Sequence, residues 1–260
     1  MLRSNVVLLV SAIFALCESA AILGKISKKC SISDDECVRD LYKGLLQEIA
    51  DNGIPELGVP KIDPLVIKDT DIVALGMIKL TMKEGEAKGF KECYATGFND
   101  LATQRNTIDF VCDRFSLEGS YKIESTPTLL ALIGGIDIHG EGNGGVVVEK
   151  VHLSFDFGFE VKKLDDGELH LLLKPDDSTY NFDVKGKATV HADNISIGKQ
   201  EISAVAVNIF NENWEFITKS LGKSVVDKAM GLFFEQAQIF LTKIPAKELF
   251  TDDLSSYVKS

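Results

Sequence analysis

Residues 213–244, NWEFITKSLGKSVVDKAMGLFFEQAQIFLTKI, form the longest uninterrupted helical pattern in the chain, and Pro245 closes it. At 1.5 Å per residue such a helix is ~47 Å long, against about 11–12 residues for an ordinary globular helix. On a wheel of about 100° per residue, Trp214, Leu221, Val225, Ala229, Leu232, Phe233, Ile239, Phe240 and Ile244 share one side. Phe216, Val226, Met230, Phe234, Ala237 and Leu241 widen it to an apolar arc of about 220°, where a helix lying on one layer needs about 100°. Something must wrap this helix. A bilayer does not, because Lys219, Lys223, Asp227, Lys228 and Glu235 leave no run of about 20 apolar residues. The remaining strip carries Ser220, Ser224, Asp227, Gly231, Gln238 and Thr242.

What wraps it is written upstream, where from 64 to about 209 the period changes to two. Val151, Leu153, Phe155, Phe157, Phe159 and Val161 alternate with polar residues, so one face of that strand is apolar. Leu164-Asp165-Asp166-Gly167 reads as a hairpin turn into Leu169, Leu171 and Leu173, and Pro175-Asp176-Asp177 as a second turn before Tyr180, Phe182 and Val184. Strands with one apolar face and no helical pattern between them predict an antiparallel sheet rolled around the long helix. The class is α+β in one domain.

A shorter amphipathic helix precedes the sheet. Ser33 with Asp34, Asp35 and Glu36 reads as a capping box, Val38, Leu41, Leu45 and Ile49 continue one face, and Asn52-Gly53 and Pro55 stop it. Arg3 followed by VVLLVSAIFAL reads as a signal peptide over residues 1–19, with cleavage between 17 and 20, leaving one domain over 20–260 in a secreted, extracellular protein. Cleavage after Cys17 or Ser19 removes the odd cysteine and leaves Cys30, Cys37, Cys93 and Cys112 in an oxidising compartment. Cys30 and Cys37 bracket the helix start, and a disulfide there is favoured over a metal pair that lacks further ligands. Cys93 and Cys112 lie about symmetrically around Leu101 and Ala102, which fits a cross-strand disulfide, two buried free thiols being the alternative. Asn194-Ile195-Ser196 is a glycosylation acceptor.

Chemistry is sparse. A net charge of −11 without basic clusters argues against a nucleic-acid partner. The glycines of 140–145 precede Val146-Val147-Val148, a strand and not the helix that a phosphate loop requires, and read as a hairpin. His139, His152, His170 and His191 show no zinc spacing and read as solvated, and no metal or cofactor is expected. No G-x-S-x-G elbow is present, and the acidic pairs at 165–166 and 176–177 are explained by turns, so no catalytic residue is assigned.

What remains is an apolar interior. A helix held inside a rolled sheet can leave a channel along its length, lined from the strands by Phe155, Phe157, Phe159, Leu171 and Phe182. From the long helix Trp214, Leu221, Val225, Phe233 and Phe240 complete it, and from the first helix Leu45 and Ile49. Periodicity does not separate such a tunnel from a packed core.

Three features together resemble the insect takeout and haemolymph juvenile-hormone-binding protein family: the Cys30/Cys37 pair before the first helix, the segment GIPELGVPKIDPL at 53–65, and Asn211-Glu212-Asn213-Trp214 opening a long helix that closes at Ile244-Pro245. The segment and the helix start look most like the takeout branch, and Cys93 with Cys112 departs from its usual single N-terminal disulfide. The resemblance implies a long C-terminal helix wrapped by a highly curved antiparallel sheet, with a short N-terminal helix and an elongated hydrophobic tunnel. It implies a secreted carrier and not an enzyme, whose partner is a lipophilic small molecule such as a juvenile-hormone-like terpenoid, a fatty acid or another lipid. The alternative is a secreted signalling or interaction protein with a packed core.

Overall fold

The computed structural model describes residues 28–100 and 103–258, and of residues 96–100 the backbone alone. The signal peptide expected over 1–19 lies outside the described residues. In chain order come α1 (Asp35–Asp51), β1 (Leu65–Ala74), β2 (Ile78–Lys88), β3 (Cys93–Asp100), β4 (Arg105–Ser125), α2 (Pro127–Leu132) and β5 (Ile138–Lys163). They are followed by β6 (Leu169–Val184), β7 (Ala188–Ala192), β8 (Ile195–Ile197), β9 (Gln200–Glu201), α3 (Ser203–Glu212), α4 (Trp214–Lys243) and α5 (Ala246–Leu249).

Two ribbons frame the sheet. β4 and β5, 21 and 26 residues long, pair antiparallel from Arg105↔Gly158 to Glu124↔His139. Shorter strands share their outer edges: β3 and β2 follow one another along β4, while β6, β7 and β8 follow one another along β5. β1 adds to β2 as a terminal strand, and every pairing is antiparallel. At ~3.3 Å per residue β5 drawn straight would reach ~86 Å, nearly twice the ~45 Å of the 30-residue α4, so the sheet coils around that helix.

The long helix is where the apolar pattern puts it, and the sheet is the expected curved antiparallel one. Several local expectations are corrected. α1 is capped by Asp34, whose Oδ1 accepts from the Cys37 amide at 3.1 Å, while the Ser33 hydroxyl pairs with that of Ser31. Pro175-Asp176-Asp177 is no turn between strands: β6 is continuous, and these residues bulge out where the register slips from Phe157↔Ser178 to Gly158↔Lys174. A proline is tolerated there because a bulged residue owes no ladder hydrogen bond. The glycines of 140–145 lie inside β5 and not at a hairpin. A Cβ added at Gly140 or Gly144 would stand 2.3 or 2.8 Å from the backbone oxygen of Asn194 or His191, so the next strands close in on a strip without side chains.

Two helices interrupt the sheet region, α2 and α3. In α3 Val205, Val207 and Ile209 imitate strand alternation, yet Ser203, Ala206, Val207 and Phe210 fall on one helical face. Asn211 fixes the helix: its Oδ1 accepts from the Val190 amide at 2.8 Å and its Nδ2 donates to the Val190 carbonyl at 3.0 Å. A side chain thus occupies the free edge of β7, where an unpaired strand would template aggregation. Asn211→Ala leaves both backbone groups without a partner, so stability should fall by ~1–3 kcal/mol in urea unfolding and the Val190 amide should lose hydrogen-exchange protection.

Two packed regions anchor the assembly. One joins the start of α1 and the 53–65 segment to the end of α4: Val38, Leu41, Ile54, Leu57 and Val59 pack with Phe240, Ile244, Leu249 and Phe250. Gly53 and Gly58 serve it in the left-handed region (φ 65 and 73), folding the segment so that Ile54 bridges Val59. The other is aromatic and sits further along α4, with Phe155, Phe157, Met230 and Phe234 at its centre.

Candidate functional site

The four cysteines pair as the spacing suggests. Cys30 is bonded to Cys37 across the start of α1, and Cys93 to Cys112, which stand directly opposite each other on β3 and β4. The second bridge fixes the register of the hairpin whose apolar face enters the aromatic cluster through Ala95, Ile108 and Phe110.

Within that cluster the rings meet edge to face or stacked. Phe155 stacks on Phe233 at 5.8 Å, Phe110 meets both, and Phe157 stands perpendicular to Phe234 at 5.8 Å. Tyr42 of α1, Leu153, Leu173, Tyr180 and Val226 pack around them. Of the residues expected to line a tunnel, Phe155, Phe157 and Phe233 come together here. Leu45, Ile49, Leu171 and Phe240 belong to the packed end of the molecule, and Phe159 is buried on β5. Phe182 reaches α4 at Gly222, where an added Cβ would lie 2.6 Å from its ring.

Trp214, Leu221 and Val225 are placed differently. Every fully buried side chain of α4, namely Met230, Phe234 and Phe240, lies in its C-terminal half. In the N-terminal half Trp214 and Leu221 are half-buried and Val225 is 48% exposed, although all three are apolar. Going round α4, Gly222 faces Phe182 of β6, and Lys228 lies about 120° away. On β1 the Asp71 carboxyl is held below its ordinary range by the hydrogen bond from Lys79 first, then that from Thr81, with Lys228 of α4 the smallest contributor. Trp214, Leu221, Val225 and Leu232 occupy the arc of the wheel between Gly222 and Lys228. Phe216, assigned to the apolar arc from sequence, is 74% exposed and lies outside it.

Polar contacts hold α4 to the strands. Lys223 Nζ donates to the Tyr180 hydroxyl at 3.0 Å and to Asp227 at 2.8 Å, and the Tyr180 hydroxyl also bonds Asp227. Asp227, on the narrow polar strip of the helix, therefore clasps β6. Arg105 bridges Asp156 and Asp177, so the 176–177 pair does more than shape a bend. On the glycine strip Tyr121 is buried and donates to the Asp193 carbonyl at 2.5 Å. Burial pushes its phenol above the usual value, with the carboxylates of Asp193 and Glu201 adding to the shift.

His170 departs most from expectation. It is fully buried and not solvated, with Nδ1 3.0 Å from the Leu241 carbonyl of α4 and Nε2 2.9 Å from Asp166 in the β5–β6 turn. The ring ties that turn to the end of the long helix. On Asp166 desolvation works to raise the carboxyl pKa, but hydrogen bonds from the Glu168 amide and His170 outweigh it and the net shift is downward. A carboxylate depressed in the folded state stabilises above its unfolded pKa and loses that contribution as pH falls through the folded one. The stability difference between wild type and Asp166→Asn should therefore be full near neutral pH and shrink as pH falls below the ordinary carboxylate range of about 4 in thermal melts at graded pH. Asp166 is half exposed, so the difference is modest.

Asn194, the glycosylation candidate, is exposed at the β7–β8 turn with φ 57. It borders a surface pocket of about 480 Å3 beside α2, formed by Lys122, Glu124, Asp137, His139 and Glu141 among others. That pocket is charged and contains none of the expected tunnel residues. Among the described residues no group of three His, Cys, Asp or Glu side chains is arranged to hold a metal, and no helix is long and apolar enough to cross a membrane.

A coiled antiparallel sheet around one long apolar helix, closed at one end by a disulfide-clamped short helix, defines a class of binding proteins. The profile of the haemolymph juvenile hormone binding protein family matches residues 6–251, and the chain belongs to that family. Among solved structures, Takeout 1 of Epiphyas postvittana is similar with a TM-score of 0.73 and 26% identity, over 86% of this chain and 99% of that one. No curated protein sequence matches the chain.

Proposed function

We propose that the chain is a secreted carrier that holds one elongated, mostly apolar molecule, a terpenoid, fatty acid or other lipid, between α4 and the concave face of the sheet. The supporting observation is the contrast along α4: its fully buried side chains all lie in the C-terminal half, while the apolar Trp214, Leu221 and Val225 share one side of the N-terminal half without being buried. A stripe of apolar side chains left partly uncovered is what an apolar ligand would cover. Phe182 and Phe233 then flank the ligand, and Phe155, Phe157, Phe240, Leu45, Ile49 and Leu171 build the closed end with Phe159. Signal cleavage between 17 and 20 and a mature domain over 20–260 complete the reading.

Burying about 300 Å2 of ligand at ~25 cal/mol per Å2 contributes ~7.5 kcal/mol before association costs, so micromolar affinity needs few polar contacts. Selectivity should follow length and width. The test is displacement of a fluorescent apolar probe by fatty alcohols and methyl esters of graded chain length, with and without chelator. Affinity should climb with length to a limit and then fall, unchanged by chelator. Failure of the whole series to displace the probe would favour a packed core, and loss of binding in chelator would reveal a metal that the reading omits.

A further inference from the structure

Three turns meet at the end of the molecule remote from the Cys30–Cys37 disulfide, and each exposes large apolar side chains. Leu75 in the β1–β2 turn is 61% exposed, Leu132 and Ile136 at and after the end of α2 are 67% and 52%, and Ile197 at the β8–β9 turn is 37%. Hydrogen bonds to backbone carbonyls hold them laterally. The Thr126 hydroxyl and amide donate to the carbonyls of Gly76 and Met77 at 2.6 and 2.8 Å, and the Gly198 amide donates to Asp137 at 2.8 Å. The opposite end has the reverse character, a sealed core of Cys30, Ile32, Val38, Ile244 and Phe250. Isolated exposed apolar residues are ordinary, but four on adjacent tips at one end are a patch.

We infer that this end docks on a neutral phospholipid surface, from which the lipophile enters or to which it returns. The docking takes its purpose from the carrier reading but is tested apart from it. Size argues against a protein partner: the four side chains expose roughly 400 Å2, where a standard protein interface buries ~800 Å2 per partner around a flat apolar centre. Separate convex tips suit a fluid surface that closes around each one. Charge selects the lipid. Around the patch Lys79 pairs with Asp71, Lys122 with Glu124, and His139 stands beside Asp137, so an anionic surface finds little to attract it in a chain of net charge −11. Lys199, next to Gly198 in the β8–β9 turn, is exposed and within reach of a phosphate at the interface.

The experiment is flotation of the mature secreted protein with phosphatidylcholine vesicles, run beside equilibrium displacement of a soluble fluorescent lipophile. Wild type should float with the vesicles. Leu132→Asp combined with Ile136→Asp should cut the bound fraction at least tenfold and slow lipophile transfer from vesicle to protein, leaving equilibrium displacement unchanged. Val66→Asp, an equally exposed apolar site on the side of β1, should change neither. If circular dichroism shows the double variant misfolded, Leu75→Ser with Ile197→Ser takes its place with the same expectation. Wild type that stays in solution with neutral vesicles while still binding the lipophile overturns the docking and spares the carrier reading, whereas flotation without lipophile binding does the reverse. Equal loss with Val66→Asp, or a concentration-dependent dimer abolished by the tip substitutions, also overturns it.

Discussion

Replacing Phe157 with alanine should lower the free energy of unfolding by ~3–5 kcal/mol in denaturant titration, with the m-value unchanged. The ring is 3% exposed, stands perpendicular to Phe234 and shares its cluster with Phe155 and Met230, so truncation opens a cavity that neighbours on a sheet and a helix cannot collapse into. Such a loss is a large part of the total stability of a domain, and a variant that melts early while keeping lipophile affinity at low temperature would place Phe157 in the closed end. Tryptophan at the same position adds bulk where none fits and should also destabilise, so the position does not serve to shorten a tunnel.

Bulk has a different effect on the open side of α4. Val225→Trp should weaken the longest accepted lipophiles at least tenfold, about 1.4 kcal/mol or more, with little effect on short ones and none on the melting temperature beyond a few degrees. Val225 has room, since it is half exposed, and a larger ring there takes up space that a long chain would fill. Glu160→Gln is the control. Glu160 pairs with Lys174 at 3.6 Å on the outer face, a contact worth little, and its loss should move neither affinity nor stability measurably. A Val225→Trp protein with the wild-type length profile would show that the arc does not touch ligand.

These two positions separate what the sequence discloses from what it does not. The alternation from Val151 to Val161 and the wide arc of residues 213–244 are set by local periodicity, and both elements occur where that periodicity lies. The cross-strand position of Cys93 and Cys112 was equally legible, because a hairpin maps symmetric spacing onto direct opposition. α3 was not legible, since Val205, Val207 and Ile209 at alternate positions satisfy a strand as well as a helix, and the choice is made by Asn211 reaching Val190. β6 hid for a similar reason: a proline reads as an end unless a bulge excuses it from the ladder. His170 offers no local sign of burial, because its partners are a carbonyl 71 residues away and a carboxylate in the preceding turn. Phe157 and Val225 look alike on a wheel or an alternation. Only the packing shows that one is closed in and the other is not.

The measurement that bears most directly on the account is the intact mass of the purified secreted protein under native conditions, followed by organic extraction and mass analysis of what is released. The account predicts one elongated, mostly apolar molecule per chain, lost on extraction and replaced when a lipophile of matching length is supplied. A protein that is empty as purified and stays empty through a series of graded chain lengths would contradict it, and the partly exposed stripe from Trp214 to Val225 would then need another partner.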